Sequence, residues 1–189
     1  MRLQRIFIAV ETSPPLQREV STLQDKMRAS GVRLRWVKPY NMHFTLRFLG
    51  DIPAAQVARA AVATRHAAVD LPRFEVVVAG LGAFPTFDRP QVVWLDTRVG
   101  GPDLEGLAAG LDAQLLKAGF AGDGRTFRPH LTLGRAKDDR YWGDLVRTLQ
   151  HYRDVEVGQQ RVEAIVIMES RLTADGPVYT LVEQVPLAQ

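Results

Sequence analysis

His43-Phe44-Thr45-Leu46 and His130-Leu131-Thr132-Leu133 are the same four-residue phrase set in two alternating stretches, and no other feature limits the fold so tightly. Successive side chains of an extended strand point to opposite faces, so residues i and i+2 share one. Over residues 40–50 this predicts His43, Thr45 and Arg47 on one face and Phe44, Leu46 and Phe48 on the other. Over residues 127–134 the same parity sets His130 and Thr132 against Leu131 and Leu133. A strand with one polar face and one apolar back suits an antiparallel sheet covered on one side. If both polar faces line one cleft, a pair of imidazoles flanks whatever binds there.

Around these phrases the apolar period switches between 2 and about 3.6 in an order that looks duplicated. Residues 5–10 read as a strand, and Ser13-Pro14-Pro15 supplies an N-cap and a proline start to a helix carrying Leu16, Val20, Leu23 and Met27, closed at Gly31. Residues 32–37 and 42–49 read as strands. A helix after Asp51-Ile52-Pro53 carries Val57, Ala61, Thr64 and Ala68, and residues 74–81 and 91–97 return to strand. A third helix carries Leu104, Leu107, Leu111 and Leu115 and ends near Gly119. The second phrase is followed by a helix from about Asp139 to Tyr152, then strands over residues 155–157, 160–169 and 178–185. The class expected is α+β with mostly antiparallel sheets; the strand order is not legible.

No Ser- or Gly-rich linker or charge block divides the chain, so residues 1–189 are expected to form one domain with two related halves. With 46% apolar residues it can bury a core without staples. The chain has no cysteine, which excludes disulfides, thiolate nucleophiles and sulfur-bound zinc. The apolar run at residues 6–10 is cut off by Glu11 and Pro14-Pro15, and no stretch nears the ~18 apolar residues of a spanning helix. A soluble, cytoplasmic, monomeric protein is expected. The net charge is only +3, although 20 of the 24 basic residues are arginine, whose planar fork pairs with phosphate oxygens. Compositional bias accounts for most of that excess, so each arginine has to be argued by position.

Two imidazoles and two hydroxyls suit acid and base chemistry at a phosphate. Hydrolysing a phosphate ester needs water activated on one side of phosphorus and the departing oxygen protonated on the other. Histidine, with an ordinary pKa of about 6.5, lets one copy act neutral and another protonated at the same pH. The threonine hydroxyls can donate to the non-bridging oxygens. No cofactor or metal is needed, and His43 and His130 have no acidic partners at ligand spacing. The GxxxxGK[ST] loop and the GxSxG elbow are both missing.

The phrases HFTLRFLG at 43–50 and RPHLTLGR at 128–135, with the strand at 5–10 and LGAFPTFDRP at 81–90, resemble the 2H phosphoesterases. Their nearest likeness is to the RNA 2′,3′-cyclic phosphodiesterases, also called 2′-5′ RNA ligases. The resemblance covers nearly the whole chain and implies two similar lobes, each an antiparallel sheet with helices, facing a central cleft. It implies His43 as general acid toward the 3′ oxygen and His130 as the base that activates water, leaving a 2′-phosphate. Thr45 and Thr132 take the phosphate-binding role, and the partners implied are RNA with 2′,3′-cyclic phosphate ends or tRNA fragments. The same site, run in reverse, would account for 2′-5′ ligation.

Arg135 matches a phosphate-binding arginine of such proteins, although strict parity points it away from His130 unless the strand bends at Gly134. Phe84 matches an aromatic ring on which relatives stack a terminal base. Arg47 shares the parity of His43, with an exposed ion pair as the alternative. Phe87, Trp36 and Trp142 rank lower, and His66 and His151 read as solvated or capping helix residues. Two other readings use the same residues: a phosphodiesterase for a small cyclic phosphate or nucleotide, and a non-catalytic module that holds RNA ends.

Overall fold

The computed structural model describes residues 3–124, 126–137 and 142–189. In chain order these form β1 (Leu3–Glu11), α1 (Pro14–Ala29), β2 (Leu34–Trp36), a 3-10 helix (Pro39–Asn41), β3 (His43–Pro53), α2 (Ala54–Ala68), β4 (Phe74–Pro85) and β5 (Pro90–Val99). Then follow α3 (Gly101–Lys117), β6 (Leu131–Ala136), α4 (Trp142–His151), β7 (Glu156–Val162), β8 (Ala164–Thr173) and β9 (Gly176–Pro186). The expected start of the fourth helix, Asp139, lies outside the described residues.

The strands make two sheets, ordered β3-β1-β8-β9 and β2-β6-β5-β4-β7, with every pairing between named strands antiparallel. The protein is therefore α+β, as the mixed periodicity implies. Each sheet draws on distant parts of the chain: β8 joins β1 in the first, and in the second β5 and β7 flank β4 while β2 reaches the sheet only through β6.

The helices bury the faces their spacing predicts. Leu104, Leu107, Leu111 and Leu115 of α3 are all essentially inaccessible, each contributing roughly 1.5–3 kcal/mol of apolar burial. They join Ile6, Ile8, Val93, Leu95, Leu131 and Leu133 in one core that spans both sheets. A smaller cluster of Phe7, Ala9, Val166 and Met168 lies on the opposite face of the first sheet, away from that core.

Several boundaries differ from the local pattern. The strand β3 continues through Gly50-Asp51-Ile52-Pro53, which reads as a turn and helix start, because it pairs with β1 along its whole length, from His43 opposite Glu11 to Pro53 opposite Leu3. The last strands divide at Glu163 instead of near residue 158, since β7 pairs with β4 and β8 with β1 in different sheets.

Simple alternation fails at one position in each phrase. In β3, Ala9 faces Thr45 and Ile8 faces Arg47, so Leu46 is an extra residue with no partner. In β6, Trp94 faces Thr132 and Val93 faces Gly134, so Leu133 is the extra residue. Each is a β-bulge, which reverses the side-chain parity downstream. Arg47 is thus turned away from His43 toward the helices, and Phe48 comes out opposite Phe7 and exposed, both contrary to strict alternation. The bulge at Leu133 brings Arg135 back opposite Val92, two residues from Trp94 and on the same face. The bend needed near Gly134 is present.

Candidate active site

His43 and His130 are anchored in the same way. The Nδ1–H of His43 donates to the Asn41 carbonyl at 2.9 Å, and the Nδ1–H of His130 donates to the Arg128 carbonyl at 2.7 Å. A carbonyl only accepts, so Nδ1 carries the proton and Nε2 is left as the basic nitrogen of the neutral ring. The backbone two residues upstream sets this tautomer in both phrases.

Aromatic rings fix each imidazole from the side. Phe7 stacks on His43 with centroids 4.7 Å apart, and Tyr179 meets it edge-on at 5.4 Å. Phe84 meets His130 edge-on at 5.3 Å and stacks on Trp94 at 5.0 Å, while Trp94 lies 6.0 Å from His130. Arg128 covers the outer side of Trp94, its guanidinium carbon 4.5 Å from the ring centroid, and pairs with Asp96 at 3.6 Å.

The charges show that the two sheets meet here. Burial is the main cause holding His43 below the ordinary imidazole value, its carbonyl hydrogen bond opposes that, and the charge of His130 lowers it further. Burial also leads in lowering His130; the hydrogen bond to Arg128 raises it, the charges of Arg128 and Arg135 lower it, and Asp96 raises it. Burial raises the Tyr179 hydroxyl and Arg135 pulls it back. His43 and Tyr179 belong to the first sheet, His130 and Arg135 to the second, so both couplings cross between sheets. Thr45 and Thr132 stand half-buried two residues beyond their histidines on the same faces.

A family model described as LigT like Phosphoesterase matches residues 10–94 and 98–179, spanning both phrases. The chain belongs to the LigT-like phosphoesterase family. It is 35% identical over 180 residues to an RNA 2′,3′-cyclic phosphodiesterase of Methanothermobacter thermautotrophicus, covering 95% of this chain and 96% of that one. The Aeropyrum pernix protein of the same name is 36% identical over 169 residues, covering 89% of this chain and 95% of that one. A solved structure from Thermus thermophilus superposes with a TM-score of 0.80 at 27% identity, over 97% of both chains. E. coli LigT shares the fold, with a TM-score of 0.78 at 23% identity over the full length of each.

Against this LigT-like frame the sequence-predicted residues separate clearly. His43, His130, Thr45, Thr132, Arg135 and Phe84 converge on one region. Arg47 does not: its side chain is 7% exposed, and its guanidinium donates to Asp112 of α3 at 2.6 Å and also to the Ala121 carbonyl. Trp36 packs on the core beneath Arg28, Trp142 lines a separate cleft with Gly31 and Leu145, Phe87 packs against the core at a groove it shares with Trp94 and Arg128, and His66 and His151 are exposed on helices. Linear reading missed Phe7, Trp94 and Tyr179, whose roles exist only through pairing. One trace of Trp94 is local: a Cβ at Gly82 would sit 2.1 Å from its indole, so only glycine fits opposite that ring. Among the described residues no three His, Cys, Asp or Glu side chains group as metal ligands, and no helix is long and apolar enough to cross a membrane.

Proposed function

We propose that this chain hydrolyses the 2′,3′-cyclic phosphate end of RNA to a 2′-phosphomonoester, with no metal, through a pair of histidines. The observation that carries this reading is that two imidazoles, anchored alike through Nδ1, stand close enough to feel each other's charge across the junction of two sheets. Relatives above 30% identity and of matching length bear the name of that activity. The cysteine-free composition and the strands exchanged between sheets support one two-lobed domain working in the cytoplasm.

In the proposed reaction, neutral His130 takes a proton from water at Nε2 as the water oxygen bonds to phosphorus. The P–O3′ bond breaks on the far side, and Nε2–H of protonated His43 gives its proton to O3′. His130 ends protonated and His43 neutral, and exchange with solvent restores both. Thr45 and Thr132 donate to the non-bridging oxygens, and the Arg135 cation offsets the charge that grows there. Mutual repulsion of the imidazoles favours the singly protonated pair that the reaction needs.

The test is turnover of a defined oligoribonucleotide with a 2′,3′-cyclic phosphate end in EDTA, with products resolved by chromatography. Positioned proton transfer contributes about 10²- to 10⁴-fold, so His43→Ala and His130→Ala should each lose at least that much in kcat with the circular dichroism unchanged. Near-normal rates in both variants, or a wild type inert in EDTA, would refute the reading.

A further inference from the structure

An open groove of about 580 Å³ lies over β4 beside Trp94. Space is left there because Gly80, Gly82 and Ala83 of β4 carry little or no side chain. Trp94, Arg128 and Asp96, which surround His130, line the groove as well. Phe87 and Arg153 add a second aromatic ring and a second cation, with the guanidinium carbon 5.9 Å from the ring centroid. Arg153 is exposed at its side chain but fixed at its backbone, since its carbonyl accepts from the Leu81 amide at 2.9 Å. Proton transfer and phosphate binding at the histidines use neither Phe87 nor Arg153. The volume falls within the ~300–1,000 Å³ of small-ligand sites.

We propose that this groove holds the second nucleotide of the RNA, the one that precedes the cyclic phosphate end; the inference rests on the hydrolase reading above. The strand continues from the 5′ oxygen of its terminal nucleoside, so a polynucleotide has to leave the site by an open side. His130 offers one: its Nδ1 hydrogen bond is exposed, whereas that of His43 is partly buried. The groove adjoins that side, because Trp94 and Arg128 belong to both. Arg128 takes the phosphate that joins the two nucleotides. Its bond to Asp96 is 3.6 Å long between exposed side chains and holds weakly, while its planar fork fits phosphate oxygens in pairs. The second base stacks on Phe87 with the Arg153 guanidinium over it, a mode of holding single strands that every base allows. Glu156 engages Arg98, and Asp154 adds a carboxylate to the lining, so the groove is no cationic track for a longer strand. The preference stops at two nucleotides.

The test compares adenosine 2′,3′-cyclic phosphate with di- and triadenylates that carry the same end. For the wild type, kcat/KM should rise ~10-fold or more from one nucleotide to two, the gain expected of one stacked base, and little from two to three. Arg153→Glu, at an exposed position, should remove most of that gain and leave turnover of the mononucleotide in place. Phe87→Leu, which keeps an apolar side chain against the core, should remove it as well, with the circular dichroism unchanged. Exposed Tyr40, with Lys38 Nζ 5.8 Å from its ring centroid, offers the strand another path on the side of His43. A gain lost in Tyr40→Ala and kept in Arg153→Glu overturns the assignment. So does an equal loss on mono- and dinucleotide in Arg153→Glu, or a wild type indifferent to the second nucleotide. A wild type that opens none of the three substrates overturns the hydrolase reading instead, so the two failures are distinct.

Discussion

Arg47 and Arg135 look alike in the linear text, but they stand four and five residues past their histidines, and the bulge in each phrase turns Arg47 away from the site and Arg135 toward it. Arg47 is buried against α3, where it holds Asp112 and the Ala121 carbonyl. Arg47→Met should therefore lower stability by about 1–3 kcal/mol through lost charge-assisted bonds while KM changes little, as urea denaturation beside steady-state kinetics will read. Arg135 acts on the imidazole. Because burial and neighbouring charge hold both histidines low, the bell of kcat/KM against pH should be centred below about 6.5. Arg135→Met removes a like charge from His130, so its imidazolium becomes easier to form and its limb should move to higher pH, checked by NMR titration of the ring protons. The two histidines and threonines were legible because a repeated phrase with period 2 is a local pattern; Arg135 was half legible, since its face depends on a bulge.

At the level of elements, both phrases carry the bulge at the same place, the fourth residue, and the second is held by its surroundings. Buried Gln24 of α1 donates from Nε2 to the Val37 carbonyl at 2.9 Å and to the Leu133 carbonyl at 3.2 Å, tying the bulge to the helix. Gly134 fits beneath β2 because a Cβ there would lie 3.0 Å from the Arg35 carbonyl. Gly82 leaves room for the Trp94 ring. Gly82→Ala should cost about 1–3 kcal/mol or more by overpacking and should displace Trp94 from His130, so that thermal melting, tryptophan fluorescence and kcat change together. A normal kcat with an unmoved indole would separate Trp94 from the site. Helix faces such as Leu104 to Leu115 were readable since burial follows their 3.6-residue period. Strand ends were not: β3 is held extended past Gly50 by a partner nearly fifty residues earlier in the chain, which no local window contains.

Across the whole molecule, the interleaving of the sheets is what brings the histidines together. Gln160 of β7 in one sheet accepts from the Ser13 amide at 2.7 Å and donates to the Glu11 carbonyl at 2.9 Å, locking the second sheet to the end of β1. Folding therefore carries both imidazoles out of water at once, and stability should record it. An imidazole whose folded pKa is below its unfolded value binds fewer protons when folded, so stability is full above about 6.5 and falls as pH drops from there to the folded values. Chemical denaturation of wild type and a His43→Gln, His130→Gln double variant over that range should show the slope only in the wild type. Residue type and spacing were enough to single out the two histidines and two threonines as one set, and to read the α+β class and the helix faces, because these follow from periods of 2 and 3.6 along the chain. The meeting of the sheets, the aromatic walls of Phe7, Trp94 and Tyr179, the turn of each strand at its bulge and the groove beside Trp94 arise from pairings between distant segments. Such contacts are set by the register and burial of the complete fold, and neighbouring residues hold no record of them.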